Sequence, residues 1–202
     1  MSTEGLLKKI NALPKSVTNL SVWDIDDTLF LSEDTHVQVI NKNKIVKKLT
    51  TKEFNGYKLK VGEKFDYSEF RDANLFFNTA KPLSNNLKKA KQALESKNTM
   101  VVILTARADM NDKKKFLNKF HMYGLDMSKP NIHVSRSGNL NMSTAAAKAE
   151  VLSQILATNR FTTVCMYDDD TKNLDSFLKI QTEKSKIKLD AYIVKGGKIL
   201  PY

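Results

Sequence analysis

Cysteine is nearly absent. Cys165 is the only one in 202 residues, so no internal disulfide can brace the fold, and a reducing compartment, the cytoplasm, is expected. Proline and glycine are scarce too, at four and seven. The glycines form neither a phosphate-cradling P-loop nor a dinucleotide-binding fingerprint. No apolar run approaches the roughly eighteen residues that a membrane span needs. Met1 to Pro14 has no long apolar stretch after its charges, so no secretory leader is expected. His36, His121 and His133 have no spacing with Cys165 that suggests a zinc site. Acidic residues are in deficit, 22 against 33 Lys and Arg, which leaves a formal charge of +11. That surplus favours anionic partners: nucleic acid, nucleotides or an acidic membrane surface.

What the chain does have is enough apolar content, 41%, to build a core in one large domain or in one domain carrying an insertion. There is no internal repeat. Residues 4 to 12 read as a short helix that Pro14 helps to end. Five short apolar runs follow, each rich in residues that favour strands: Asn19 to Trp23, Thr99 to Leu104, Asn131 to Ser135, Phe161 to Tyr167 and Ala191 to Val194. Leu83, Leu87, Ala90 and Leu94 share one helical face, as do Val151, Leu152, Ile155 and Leu156 in a segment that Ser143 can cap. Strands alternating with helices predict an α/β fold with a doubly wound parallel sheet covered on both faces.

Residues 31–82 break the rhythm, because the gap between the first two strands is far longer than one crossover requires. Val37 and Val39 alternate, as do Tyr57, Leu59 and Val61 after the turn dipeptide Asn55-Gly56, and 68–77 reads as a returning helix. The segment is either a small β-rich insertion on a core made of 1–30 and 83–202, or an irregular surface loop.

The chemistry gathers where strands end. The run Val22-Trp23-Asp24-Ile25-Asp26-Asp27-Thr28 puts two carboxylates two residues apart directly after a strand. The second strand closes on Thr105-Ala106-Arg107, and the fourth on Tyr167-Asp168-Asp169-Asp170. Crowded carboxylates are costly unless a cation shares them, and sites in open parallel sheets lie at the carboxyl ends of the strands. Lys148 lies in line with Val151, Leu152 and Ile155, so it either faces inward to the carboxylates or snorkels to solvent. Asp27 is expected to point away from the site. Asp170 either caps the following helix or acts as an outer acid.

These motifs resemble those of the haloacid dehalogenase superfamily of phosphohydrolases: Asp24-x-Asp26-x-Thr28, Thr105 closing a strand, Lys148 near a helix start, and the pair Asp168-Asp169. The resemblance covers residues 19–175 and implies a Rossmann-like core and a Mg²⁺-dependent phosphoaspartate mechanism. By that likeness Asp24 is the nucleophile and Asp26 the acid and base, the second acid favouring phosphate transfer over dehalogenation. Thr105 and Lys148 assist at the phosphoryl group, with Thr28, Ala106 and Arg107 around the substrate. Asp24, the carbonyl of Asp26, Asp169 and Asp168 are the implied metal ligands. Arg107 has the alternative of a structural ion pair.

The insertion holds eight lysines between Lys42 and Lys64 against Glu53 and Glu63. Phe54, Tyr57 and Phe65 lie among them, so lysines on phosphates and rings on bases would suit a nucleic-acid strand. Lysines that guard a sheet edge are the alternative. A small β-rich insertion leaves the site open, which resembles polynucleotide 3′-phosphatases and RNA-repair-like members of the superfamily, although those commonly follow the acidic pair with Arg where this chain has Asp170. The expected substrates are phosphorylated DNA or RNA ends or nucleotides, with no membrane and no obligate protein partner. The alternatives are a mononucleotide nucleotidase and a non-catalytic nucleic-acid-binding module on the same core.

Overall fold

A computed structural model describes residues 3–140, 142–180 and 187–202. In chain order the elements begin with α1 (Thr3–Ala12), β1 (Asn19–Trp23), β2 (Phe30–Leu31), β3 (Val37–Asn41), β4 (Lys44–Leu49), α2 (Thr51–Gly56) and β5 (Glu63–Asp66). A 3₁₀ turn (Ser68–Arg71), α3 (Ala73–Thr79), β6 (Lys81–Pro82), α4 (Ser84–Glu95), β7 (Thr99–Thr105) and α5 (Lys113–His121) follow. The chain closes with β8 (Ile132–Arg136), α6 (Thr144–Leu156), β9 (Thr163–Asp168), α7 (Thr171–Leu178), β10 (Lys188–Lys195) and β11 (Lys198–Pro201).

The fold is α/β. One sheet of six strands runs in the order β11-β10-β9-β1-β7-β8. All five expected strands lie in it and pair in parallel, and only β11 turns back antiparallel against β10. Strand alternation sorts the side chains onto two faces. Leu20, Val22, Val102, Val164 and Met166 meet α1, α6 and α7 on one face. Trp23, Val101, Ile103 and Tyr167 meet α3, α4 and α5 on the other. The chain lays β7 and β8 to one side of β1, then crosses to lay β9 and β10 on the other. This arrangement is compatible with a Rossmann-like fold, and its switch point is the carboxyl end of β1.

Residues 31–82 leave and return at one place, since Phe30 faces Pro82 and Leu31 faces Lys81 in the short β2–β6 ladder. Between them β4-β3-β5 form a separate antiparallel sheet with its own small core of Val37, Val39 and Leu49, flanked by Phe54, Tyr57, Phe65 and Phe70. The expected strand at Tyr57 to Val61 is not there. Asn55-Gly56 ends helix α2 rather than turning a hairpin, because Thr50 and Glu53 form a reciprocal capping box that starts a helix, and the strand comes later, at β5. The expected helix over 68–77 is split, because Asp72 accepts from the main chain of Asn74 and Leu75 and begins α3 afresh. α3 buries Ala73 and Phe76 in the core of the large sheet.

The hairpin turn between β3 and β4 is Lys42-Asn43, both left-handed at φ +47° and +62°. That geometry suits Asn-Gly far better than Lys-Asn. Replacing Lys42 by Asn and Asn43 by Gly is expected to stabilise the protein by about 1 kcal/mol, read as a higher melting temperature. An unchanged or lower value would contradict the turn.

Candidate active site

Trp23 is in register with Ile103 on one side and Tyr167 on the other. The rings of Trp23 and Tyr167 stack at 3.8 Å and 6°, which fixes the two strands directly before Asp24 and Asp168. Alternation then turns both carboxylates toward the face that carries α6. Lys148 sits on the buried stripe of α6 with Val151, Leu152 and Ile155, and Ser143 caps that helix. The lysine does not snorkel. It is 2% exposed, and its Nζ donates to Asp24 Oδ1 at 2.6 Å and to Asp168 Oδ2 at 2.7 Å.

The electrostatics follow from one buried ammonium among several carboxyls. Burial opposes charge on Lys148, but Asp168 and Asp24 outweigh it and raise its pKa. Burial, with the charges of Asp168 and Asp26, pushes Asp24 up to about 7 against the pull of Lys148. Asp168 is fully committed: its Oδ1 also accepts from the main chain of Asp170 at 3.0 Å and from Asn173 Nδ2 at 2.9 Å. Asp169 is pushed up to about 9 by burial and then by Asp24 and Asp168. Its carboxylate makes no hydrogen bond or salt bridge among the described residues. Asp27 follows in a left-handed conformation (φ +59°), and its charge adds a lesser push on Asp169. Asp170 caps α7 by accepting from Lys172 N at 2.9 Å.

Among the described residues no group of three or more His, Cys, Asp or Glu side chains is arranged to hold a metal ion. Lys148 is set between Asp24 and Asp168, and Asp26 is turned to Arg107. The donor chemistry nevertheless fits Mg²⁺, which keeps several waters and needs only one or two protein carboxylates. Asp169 is unpartnered and crowded by negative charge, and Asp24 has one oxygen free of Lys148.

The turn after Asp24 is tight, with Ile25 O accepting from the main chain of Thr28, Leu29 and Phe30. Thr28 is wholly buried, its Oγ1 finds no partner among the described residues, and its carbonyl accepts from Asn86 Nδ2. It shapes the turn and does not face outward. Thr105 Oγ1 accepts from Arg107 N at 3.1 Å, so its own proton is left to donate elsewhere. Ala106 beside it is exposed. The Arg107 guanidinium is 1% exposed and grips Asp26, with Nε at 3.0 Å from Oδ2 and Nη2 at 2.6 Å from Oδ1. Despite its burial, Asp26 is held below the usual carboxylate range by Arg107 and Ser32.

Ser32, Phe70, Asn173 and Gly138 carry no signal in the sequence, yet they frame the site. A Cβ on Gly138 would lie 2.1 Å from Ala106 O and 2.8 Å from Ala108 N, so only glycine lets this loop close on the one after β7. In the insertion, Phe54 and Phe65 meet edge to face at 4.8 Å and Tyr57 packs with Phe65 at 6.2 Å, and all three rings are half-buried against the core of the small sheet. Seven of the eight lysines are exposed, and the Lys52 side chain lies outside the described residues. Among the described residues no helix is long and apolar enough to cross a membrane.

Comparison with protein-family models, with curated proteins and with solved structures returned no match.

The carboxylate cluster has a pH signature. Folded Asp169 keeps its proton to about pH 9 and Asp24 to about 7, whereas both lose it near 3.8 when unfolded. The folded state then holds more protons, and stability falls as pH rises. Buried His133, depressed from 6.5 to about 4, acts in the opposite sense, but only below 6.5. With chelator present, the midpoint of urea unfolding is therefore expected to fall between pH 6.5 and 9, by no more than about 1.4 kcal/mol per pH unit for one group. Asp169→Asn should flatten the slope above pH 7. A variant with the full slope would contradict the assignment.

Proposed function

We propose that the chain is a Mg²⁺-dependent phosphomonoesterase of the haloacid dehalogenase type. It would work through an aspartyl-phosphate at Asp24, on phosphorylated nucleic-acid ends or nucleotides. The observation that carries this reading is the buried Lys148 bridge between Asp24 and Asp168, with Asp169 left unpartnered beside it. A nucleophilic carboxylate with one free oxygen, a fixed cation and surplus negative charge is what phosphoryl transfer to a carboxylate needs.

The metal would be held by Asp24, the main-chain carbonyl of Asp26 and Asp169, with Asp168 adjacent. When bound it offsets negative charge, so that an anionic phosphate can approach an anionic nucleophile. In the first half-reaction the oxygen of Asp24 not bonded to Lys148 attacks phosphorus. The bond from phosphorus to the leaving oxygen breaks, and Asp26 gives that oxygen its proton. In the second, water attacks the aspartyl-phosphate and passes a proton to Asp26. The bond from phosphorus to Asp24 breaks, phosphate leaves, and both carboxyls return to their starting forms. Asp26 is ionised in the free protein; a phosphate dianion beside it raises its proton affinity, so that it takes a proton from solvent as substrate binds and returns it to solvent when phosphate leaves. Lys148 neutralises charge on Asp24 and the phosphoryl group, and the Thr105 hydroxyl donates to a phosphate oxygen.

The substrate class rests on the insertion. Lys42, Lys44, Lys47, Lys48, Lys58, Lys60 and Lys64 are exposed on a segment whose root, at Ser32 and Phe70, touches Arg107 beside the site. With the rings committed to the small core, contact with a strand would run through phosphates, which makes it sequence-independent and salt-sensitive.

Phosphate release with Mg²⁺, compared for 3′- and 5′-phosphorylated oligonucleotides and the matching mononucleotides, tests this reading. Release from an oligonucleotide end is expected, slowed by salt and by Lys→Ala changes at 42, 44, 58 and 60, and abolished in Asp24→Asn. Preference for mononucleotides would move the protein to nucleotide metabolism. No release, alongside salt-sensitive strand binding, would leave a binding module.

A further inference from the structure

Arg107 is among the largest fully buried side chains of the protein, and its surroundings come from two parts of the chain. Its guanidinium lies between two rings, 5.1 Å from the centroid of Phe70 and 4.8 Å from that of Phe76. Its Nη1 donates to Phe70 O at 3.2 Å, and its Nη2 also reaches Ser32 Oγ at 3.4 Å. Ser32 Oγ donates in turn to Asp26 Oδ1 at 2.5 Å. With Nε and Nη2 on Asp26, most of the guanidinium donors are occupied and none of these bonds is to solvent. A buried arginine arranged in this way orients a carboxylate and is poorly placed to receive a substrate phosphate.

The Asp26 carboxylate is consequently fixed atom by atom. Oδ1 accepts from both Ser32 and Arg107 and has no lone pair to spare, whereas Oδ2 accepts only the Nε–H. One position on Oδ2 remains for exchange with a ligand. The clamp is anchored by the insertion. Phe70 lies in the 3₁₀ turn, whose Glu69 accepts from His36 N, Gln38 Nε2 and Lys48 Nζ, each at 2.8 Å. These three bonds tie the turn to the small sheet, and Arg71 O accepts from Asn111 N at 2.9 Å on the core side.

Taking Asp26 as the proton carrier of the proposed reaction, we infer that Arg107 is a positioning residue. Caged by Phe70 and Phe76, it holds the Asp26 carboxylate with Oδ2 presented, and it can do so only while the 3₁₀ turn of the insertion is docked. The insertion thus completes the site from behind, in addition to any contact that it makes with substrate. Loosening the turn would slow turnover without weakening substrate binding.

The test compares wild type with Arg107→Gly, Arg107→Lys, Ser32→Ala and Phe70→Ala. kcat and KM are measured separately on p-nitrophenyl phosphate and on a 3′-phosphorylated oligonucleotide. Arg107→Gly is expected to lower kcat by on the order of 100-fold with KM little changed. Added guanidinium, which fits the vacated cage, should restore part of that loss, and methylammonium should not. Phe70→Ala, which removes one ring beside the Arg107 guanidinium, should also lower kcat, and Arg107→Lys should rescue poorly because it cannot make the two-point contact. In ¹⁵N spectra the Arg107 Nε–H should exchange slowly in wild type and rapidly in Phe70→Ala. Should Arg107→Gly fail to fold, Arg107→Lys and Phe70→Ala carry the same comparison. Active wild type with kcat unchanged and KM raised in these variants would overturn the inference in favour of direct substrate contact, leaving the phosphatase reading intact. Wild type without turnover on either substrate would overturn both.

Discussion

One buried ammonium organises the site. Lys148 reaches two carboxylates that belong to different strands, and it can do so only because β1 and β9 are adjacent, parallel and in a register that sets Asp24 beside Asp168. Taking such charges out of water is expensive, and removing one partner from a buried ion pair typically costs about 3–5 kcal/mol. The lysine therefore constrains the packing of α6 as firmly as the apolar residues around it. Its single charge also cannot balance all the carboxyls nearby. The remaining imbalance falls on Asp24 and Asp169, whose pKa values rise.

A second buried cation divides the labour. Arg107 takes Asp26 away from the crowded group and keeps it ionised, so the two carboxylates of the first motif have opposite electrostatic settings although only Ile25 separates them. Asp24 is desolvated and crowded by like charge. Asp26 is somewhat more exposed, and it is matched by a two-point partner and a hydroxyl. Paired titratable groups whose surroundings push them apart are the usual way that one site supports two roles in proton and phosphoryl chemistry. Here the partner of Asp26 is held by a segment that the core does not need for its own sheet.

Much of this was legible in the sequence, for physical reasons. The central strands β1 and β7 are almost wholly buried and their neighbours β8, β9 and β10 carry short apolar stretches, so each of the five was found to within a few residues at its ends. The position of Lys148 followed from helical periodicity, because a lysine on an apolar stripe has few places to go. The insertion was harder to read. β4 carries Lys44, Lys47 and Lys48 on an exposed edge and gives no apolar pattern, while Tyr57, Leu59 and Val61 alternate without forming a strand. Sequence also does not reveal that the small sheet half-buries its own rings, Phe54, Tyr57 and Phe65. Phe70 and Gly138 were invisible for a different reason: their roles exist only through contacts 30 or more positions away along the chain, as between Phe70 and Arg107 and between Gly138 and Ala106.

The central claim is that Asp24 becomes covalently phosphorylated. The most direct measurement is acid quenching during turnover of a phosphate-labelled oligonucleotide, followed by borohydride reduction and peptide mapping by mass spectrometry. Reduction converts an aspartyl-phosphate to homoserine, so the account predicts homoserine at position 24 and at no other aspartate. Turnover that leaves residue 24 unreduced, with the label passing directly from substrate to free phosphate, would contradict it.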